Sequence, residues 1–425
     1  MGKSGKAAYH LLKIKGDDPV GCDTNSNLLK TLQEEGLKVA ESPQVELFDQ
    51  VVLSPGIPPT NTWYLEAKKL GKEILGEAEL GLRELALCSP RPKIVGITGT
   101  NGKTTVTLLI EHILKESGIS AIALGNVGTP FTEYCLHPAP GEIVVAELSS
   151  YQLETLTSKV LDVGVVLNIT PDHLDRYPSM EEYAAAKSMI QNCMRQESTL
   201  YVNAEVLREF GYLFKDKHRT FGSLSGAFLW TDKHVIKQLE RVEFLLPQVY
   251  TQRGIHDSEN VLAAWAVCKE LGVEKEAFLN ALETFKKPAH RIEFVKEIAG
   301  VFYFDDSKGT NIDATIKAVS AMTGSVILIA GGVDKGASYK IWKEKFAGKV
   351  RMIFAIGEAA EKIKQELLPD INVHVVSSLE AAVKEAGKCA RLGESVLLSP
   401  GCASFDMFRD YAHRGEEFKR CVQKE

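Results

Sequence analysis

The sequence predicts an α/β protein of about three domains whose sheets are mostly parallel. Three observations lead there. Around residues 94–116 a β-branched run, a glycine loop ending in Gly-Lys-Thr and a helical apolar pattern follow one another. Over residues 302–398 short apolar runs alternate with helix-length segments, the pattern of a parallel sheet covered on both faces. The chain is 425 residues long, too long for one ordinary hydrophobic core.

The first 88 residues alternate short strands and helices. A helix is expected near 7–12, a strand end at 20–23 and a helix at 27–35 closed by Gly36. A strand at 51–53 runs into the turn Ser54-Pro55-Gly56, and a helix follows at 63–70. Gly2-Lys3-Ser4-Gly5 reads as the second half of a G-x-G-x-x-G turn with no strand ahead of it. Either this unit is atypical or its first strand lies upstream of Met1, and the second reading is favoured. Cys88-Ser89-Pro90-Arg91-Pro92-Lys93 reads as a linker.

Residues 94–97 then read as a buried strand, 99–104 as a glycine-rich turn, and Val106, Leu109, Ile110, Ile113 and Leu114 as one face of a helix. This is the layout of a phosphate cradle. Glycines let backbone N–H groups approach phosphate oxygens, and the helix N-terminus adds the positive end of its dipole. Lys103 is expected at the β- and γ-phosphates and the Thr104 hydroxyl on Mg²⁺. The strict G-x-x-x-x-G-K-[ST] spacing is not met, since Gly96 lies six residues before Gly102; the form that fits is T-G-T-N-G-K-T-T. Further on, the apolar run 143–146 ends in Glu147, where phosphate-loop proteins carry an acid that holds Mg²⁺. His173, crowded by Asp172, Asp175 and Arg176, reads equally as a functional cluster or as a solvated turn. Lys187, on a helix expected over 180–194, reads as part of an ordinary charged face.

Residues 198–252 are strand-rich with few motifs, and 257–272 read as an amphipathic helix ending at Gly272. Phe285-Lys286-Lys287-Pro288-Ala289-His290-Arg291 is a second linker candidate, so the expected domains are 1–88, 89–287 and 288–425. In the last of these, strands are expected at 302–305, 326–330, 351–356, 373–376 and 396–398. Helices are expected at 313–322, 341–345, 358–367 and 379–388. The loops 305–311, 331–335 and 399–404 all follow strands, at the edge where α/β sheets bind ligands, although Gly, Asp and Ser are also routine turn residues.

Bulk properties exclude several classes. A net charge of −6 leaves no broad nucleic-acid footprint. The eight cysteines form no C-x-x-C pair, which favours reduced thiols in the cytosol over a disulfide framework or a zinc site. No apolar run approaches the ~18 residues that span a bilayer. The first residues show no signal-peptide core, and Lys6 stands where a myristoylation pattern wants Ser or Thr.

The motifs G-T-N-G-K-T-T, G-N-V-G, E-L-S-S-Y-Q-L-E, N-I-T-P-D-H-L-D-R-Y, Y-A-A-A-K, H-R-I-E, D-D-S-K-G-T-N and L-L-S-P-G-C-A-S-F-D-M-F run over nearly the whole chain. Together they resemble the Mur ligases of peptidoglycan synthesis. The first is shared with folylpolyglutamate synthases; E-L-S-S-Y-Q-L-E and D-S-K-G-T-N are the specific ones. The resemblance implies an N-terminal Rossmann-like domain for a UDP-linked substrate, here lacking its first strand. It also implies a central phosphate-loop ATPase and a C-terminal Rossmann-like domain that brings the amino acid. It implies a cytoplasmic, monomeric enzyme that adds D-glutamate to UDP-N-acetylmuramoyl-L-alanine with ATP, through an acyl phosphate, with no nucleic-acid or membrane partner. Residue by residue, Gly99, Thr100, Asn101, Gly102, Lys103, Thr104 and Thr105 would cradle ATP, and Thr104 and Glu147 would hold one Mg²⁺. His173 and Lys187 would belong to a second Mg²⁺ site, with Lys187 carbamylated as is usual in the family. Asn260, His290, Arg291, Asp306 and Lys308 would serve the nucleotide. Asn126, Ser149 and Gln152 would face the muramoyl substrate, and Asp23, Thr24, Ser54 and Gly56 would line the uracil and diphosphate site. Thr310, Lys335, Ser404 and Tyr411 would meet D-glutamate.

Other readings are another amide ligase of the same fold, a nucleotide-driven switch, or a non-catalytic relative that has lost the first strand of its uridine domain. No N-K-x-D guanine-reading stretch and no L-S-G-G-Q-like transporter signature occur.

Overall fold

The computed structural model describes residues 1–139, 141–215, 217–232, 234–239, 241–251 and 255–425. It divides into two compact units. The first comprises Met1–Ile169, Glu181–Pro247 and Glu259–Phe285, the second Thr170–Met180, Gln248–Ser258 and Lys286–Glu425.

The first unit opens with helices Lys3–Ile14, Ser26–Glu34, Thr62–Lys69 and Glu77–Leu87 around two short parallel ladders. Gly21–Cys22 pairs with Val39–Ala40, and Gln50–Leu53 with Glu73–Gly76. Asn25 and Asn61 cap the second and third helices by accepting from the first-turn N–H groups, the usual remedy for orphan donors. Gly36, at φ +84°, ends the second. The Glu77–Leu87 helix lies so close to its neighbour that a Cβ on Gly81 would stand 2.4 Å from the Phe131 Cβ. Two buried carboxylates pin this helix. Glu79 accepts from the N–H and hydroxyl groups of Thr157 and Ser158, and Glu77 from those of Thr132. Burial raises the Glu77 carboxyl above its ordinary range. In Glu79 burial pushes the same way, but the hydrogen bonds from Ser158 and Thr157 outweigh it and hold the carboxyl low.

A nine-stranded sheet follows in the order Arg241–Leu245, Val235–Gln238, Leu229–Thr231, Arg219–Gly222, Met194–Asn203, Leu161–Val166, Ile94–Thr98, Ile143–Glu147, Ala121–Gly125. From Leu229–Thr231 to Ala121–Gly125 neighbouring strands are parallel; the remaining pairings are antiparallel. Ile94–Thr98 is buried along its whole length, as its β-branched run requires. Two expectations change here. The helix expected over 180–194 stops at Ser188, tightens into the 3-10 turn Met189–Cys193 and gives way to a strand at Met194. Val160 N donates to Cys193 O and Leu161 pairs with Met194, so sheet pairing overrides helical preference. The helix Ile255–Glu270 is not simply amphipathic: all residues from Val261 through Cys268 are buried, which marks a helix enclosed on every side.

The second unit holds a six-stranded sheet in the order Glu293–Ile298, Val301–Asp305, Ser395–Leu398, Val326–Gly331, Val350–Ile356, Asn372–Val375. Only the first pairing is antiparallel. Helices Ile312–Ala321, Ile341–Lys345, Ala360–Leu367 and Leu379–Cys389 alternate with the strands as expected. Trp342, Phe346 and Ile363 belong to one buried cluster and Val383, Phe418 and Val422 to another. The edge strand Glu293–Ile298 and the helix Tyr411–Lys424 were not anticipated; the latter is rich in charge yet buries Arg414, Phe418, Cys421 and Val422. No helix among the described residues is long and apolar enough to cross a membrane.

Candidate active site

The phosphate loop forms between the Ile94–Thr98 strand and the helix Lys103–Glu116. Gly99 and Gly102 have φ of +151° and +88°, values that need glycine. A Cβ on Gly99 would lie 2.9 Å from the Leu167 Cβ, and one on Gly102 would lie 2.6 Å from Asn260 Oδ1. Asn260 therefore stands beside the loop. Asn168 pins the turn: its carbonyl accepts from Thr100 N at 2.8 Å, its Oδ1 from Asn101 N at 2.8 Å, and its amide donates to Asn101 O at 2.9 Å. The Lys103 ammonium donates to Gly99 O and Thr100 O, each at 2.9 Å. Thr104 and Thr105 sit in the helix's first turn.

Glu147 ends the strand beside the loop strand, with Ile97 and Glu147 as Cα partners. It is almost fully buried. Its Oε1 accepts from Asn126 Nδ2 at 2.9 Å, while Oε2 has no hydrogen-bond partner among the described residues. A buried carboxylate oxygen left without a donor fits a cation ligand. Ser149 and Gln152 cap the short helix Ser150–Leu153 in a reciprocal box: Ser149 Oγ accepts from Gln152 N, and Gln152 Oε1 accepts from Ser149 N.

Lys187 is no charged surface residue. It is buried, donates to Gly99 O at 2.8 Å and lies 4.6 Å from the Tyr183 ring centroid. Buried Tyr183 in turn shares a hydrogen bond with Thr100 Oγ1 at 3.2 Å. Lys187 and Lys103 thus both donate to the same loop carbonyl, a convergence that an i-to-i+4 charge pattern cannot reveal. Sequence reading also passed over Tyr183. Of the residues implied for the uridine end, Asp23 accepts from Asn25 N at 2.9 Å and faces the Met1 amine. Thr24 and Gly56 are exposed and Ser54 is half-buried.

In the second unit His173 takes a left-handed backbone, φ +55°, which a non-glycine residue adopts only where its surroundings enforce it. Its carbonyl accepts from Arg176 N and Tyr177 N. The neighbouring Asp172 is buried and holds Lys335 Nζ at 2.9 Å and Asn311 Nδ2 at 3.1 Å. Burial alone would raise the Asp172 carboxyl, but Lys335, His173 and Asn311 outweigh it and keep it below the ordinary carboxylate range.

The loops after the Val301–Asp305 and Ser395–Leu398 strands interlock. Asp306 accepts from Ser399 Oγ at 2.7 Å and Ile292 N at 3.2 Å, and burial pushes its carboxyl up to about 7. Asp305 meets His290 Nδ1 at 2.6 Å and accepts from Ser307 N at 2.9 Å. Arg414, fully buried, donates to Ser307 Oγ and O and to the carbonyls of Cys402 and Ala403. Burial lowers its guanidinium to about 10. Lys308 Nζ sits 3.8 Å above the Tyr411 ring. Ser404 is buried, Thr310 half-buried, and Arg291 half-buried beside Asp306. His290, Glu293 and Asp305 gather like a metal site. Lys419 already stands there as a cation, 2.9 Å from Glu293 and 3.9 Å from Asp305.

Strand, glycine loop, lysine, and a buried acid on the next strand define a phosphate-loop nucleotide enzyme. Comparison with known proteins narrows the class. The Mur ligase middle domain matches residues 97–268, and the Mur ligase, glutamate ligase domain matches 290–402. The UDP-N-acetylmuramoylalanine--D-glutamate ligase of Protochlamydia amoebophila is 48% identical, over all of this chain and 96% of that protein. The ligase of the same name from Caldanaerobacter subterraneus is 38% identical, over 99% and 96%. Among solved structures, UDP-N-acetylmuramate-alanine ligase MurC of Thermotoga maritima superposes with a TM-score of 0.62 at 17% identity, covering 100% of this chain and 97% of that one. MurF ligase of the same organism, in complex with ADP, gives 0.60 at 16%, covering 90% and 100%. The chain belongs to the Mur ligase family and, within it, to the UDP-N-acetylmuramoylalanine--D-glutamate ligases.

Proposed function

We propose that this chain joins D-glutamate to UDP-N-acetylmuramoyl-L-alanine with the conversion of ATP to ADP and phosphate. A carboxylate is a poor electrophile, so it is first activated: the γ-phosphoryl group passes to an oxygen of the alanine carboxylate and ADP leaves. The D-glutamate amine then attacks the carbonyl carbon, phosphate departs and the amine loses a proton. In the first step Lys103 and the N–H groups of Gly102 to Thr105 neutralise charge on the phosphates, which is where most catalysis of phosphoryl transfer lies.

The observation that carries this reading is Glu147, beside the phosphate loop, whose buried Oε2 has no donor among the described residues. With Thr104 it would hold Mg²⁺, which when bound neutralises phosphate charge. For a second Mg²⁺ we assign His173 and Lys187, the latter as its carbamate. Buried Lys187 beside Gly99 O supports a role at the loop. We assign Asn126, Ser149 and Gln152 to the muramoyl substrate, and Thr310, Lys335, Ser404 and Tyr411 to D-glutamate. The three working domains are 1–88, 89–287 and 288–425, in a cytoplasmic monomer.

The test is phosphate release by purified protein with ATP, Mg²⁺ and UDP-N-acetylmuramoyl-L-alanine. Release that needs D-glutamate, and is not supported by L-glutamate, L-lysine or meso-diaminopimelate, is expected. Equal release with any of the other three would sink the substrate assignment.

A further inference from the structure

We propose that Asp172 is a positioning residue for D-glutamate, holding the Lys335 ammonium in place for one of the amino acid's carboxylates. This rests on the reading of Lys335 as a D-glutamate ligand.

Lys335 lies on a loop, and a free lysine side chain samples many rotamers. Here its Nζ is fixed at 2.9 Å from Asp172 Oδ1. Asp172 is itself held: Oδ1 also accepts from His173 N at 2.9 Å, and Oδ2 accepts from Asn311 Nδ2 at 3.1 Å. Asn311 is oriented in turn, because its Oδ1 caps the helix Ile312–Ala321 by accepting from Ala314 N at 2.8 Å. A second tie joins the same segments, from Thr170 Oγ1 to Asp313 Oδ2 at 3.2 Å. The Lys335 loop packs on the segment that carries Asp172, with the site of a Cβ on Gly336 only 3.6 Å from Asp175 N. An ammonium has three donors, so one bond to Asp172 leaves two for a ligand. The Asp172 carboxylate, 7% exposed and with both oxygens occupied, supports the lysine and does not itself receive the amino acid. A lysine already ordered before binding spares the ligand the entropic cost of ordering it.

The test is steady-state kinetics on full-length Lys335→Ala, Asp172→Asn and the double variant, varying D-glutamate and then ATP. Lys335→Ala and Asp172→Asn should each raise KM for D-glutamate about tenfold or more, with KM for ATP unchanged. The double variant should be no worse than Lys335→Ala, because Asp172 acts through Lys335. If Asp172→Asn fails to fold, Asp172→Glu keeps the charge and moves it by one methylene, and should raise the same KM by a smaller factor. An unchanged or lower KM for D-glutamate in the Asp172 variants, effects that add in the double variant, or an equal rise in both KM values would each overturn the proposal while Lys335 kept its role. An unchanged KM in Lys335→Ala would overturn the reading of Lys335 and the proposal with it.

Discussion

Lys103 reaches carbonyls three and four residues before it in the chain; Arg414 reaches the carbonyl of Ser307, 107 residues before it. Both cations are held by backbone oxygens, but the two regions are built differently. The phosphate loop is a local object whose turn, glycines and lysine lie within 99–105. The carboxyl edge of the six-stranded sheet is assembled from 172–173, 290–311, 331–335 and 399–414, and there Asp172 meets Lys335, Asp306 meets Ser399 and Arg414 meets Ser307 only once the sheet has formed. A local site can lose a functional group with little change in stability. In a non-local site the functional groups are also part of the packing, so losing one costs more stability.

The largest expected effects fall at the phosphate loop and at Lys187, which reaches it from 88 residues away. Lys187→Ala should fold and be nearly inactive. If the working group is the carbamate, a short carboxylic acid such as acetate should restore part of the activity by filling the vacated place. Rescue by a small amine would instead make Lys187 a cation that braces Gly99. Lys103→Ala should lower kcat by about 10² or more while the thermal unfolding midpoint barely moves. Near-normal turnover in that variant would end the catalytic reading of the loop.

The same contrast explains what could be read in the sequence. The strand, loop and helix of 94–116 were legible because the glycines, the lysine and the helical spacing that mark them lie together in the chain, although Asn168 and Lys187, which brace the loop, do not. The alternation at 302–398 was legible because burial on both faces of a parallel sheet demands apolar runs. Glu77 and Glu79 gave no signal, since a buried carboxylate on a helix looks like a surface one until Thr132, Thr157 and Ser158 arrive from elsewhere. Asp172 belonged to a cluster that read equally as functional or as a solvated turn, because Lys335 is 163 residues away. Arg414 gave no signal either, because its helix was not anticipated and Ser307 is 107 residues away. Lys187 was named only through a family resemblance; its burial against Gly99 lay beyond any periodicity.

In the non-local region the next effect is a pH dependence of stability. Burial raises Asp306 from 3.8 to about 7. A raised acid holds its proton in the folded state between those values, so its contribution is fully present below about pH 4 and lost as pH rises through 7. Asp306→Asn cannot titrate. The stability of the parent relative to this variant should therefore fall by roughly 4 kcal/mol between pH 4 and pH 8. Urea unfolding of both proteins across that range measures it. A constant difference would mean that Asp306 is ionised throughout, and the buried edge would then carry a negative charge.

The smallest effect tests where the two kinds of construction meet. Ser149 is assigned to the muramoyl substrate, yet its hydroxyl already accepts from Gln152 N at the start of the helix Ser150–Leu153, and Gln152 Oε1 returns the contact to Ser149 N. Removing the cap by Ser149→Ala should cost about 1 kcal/mol of stability. A purely structural cap would do no more than that. If Ser149 also faces substrate, the same change should raise KM for UDP-N-acetylmuramoyl-L-alanine while KM for ATP and for D-glutamate stays put. Ser149→Asp separates the roles further, because Asp caps a helix N-terminus as well as Ser does but sets a negative charge before an anionic substrate. Restored stability together with a still higher KM would give Ser149 both jobs. Restored stability with a normal KM would leave it as a cap alone and move the muramoyl contact to Asn126.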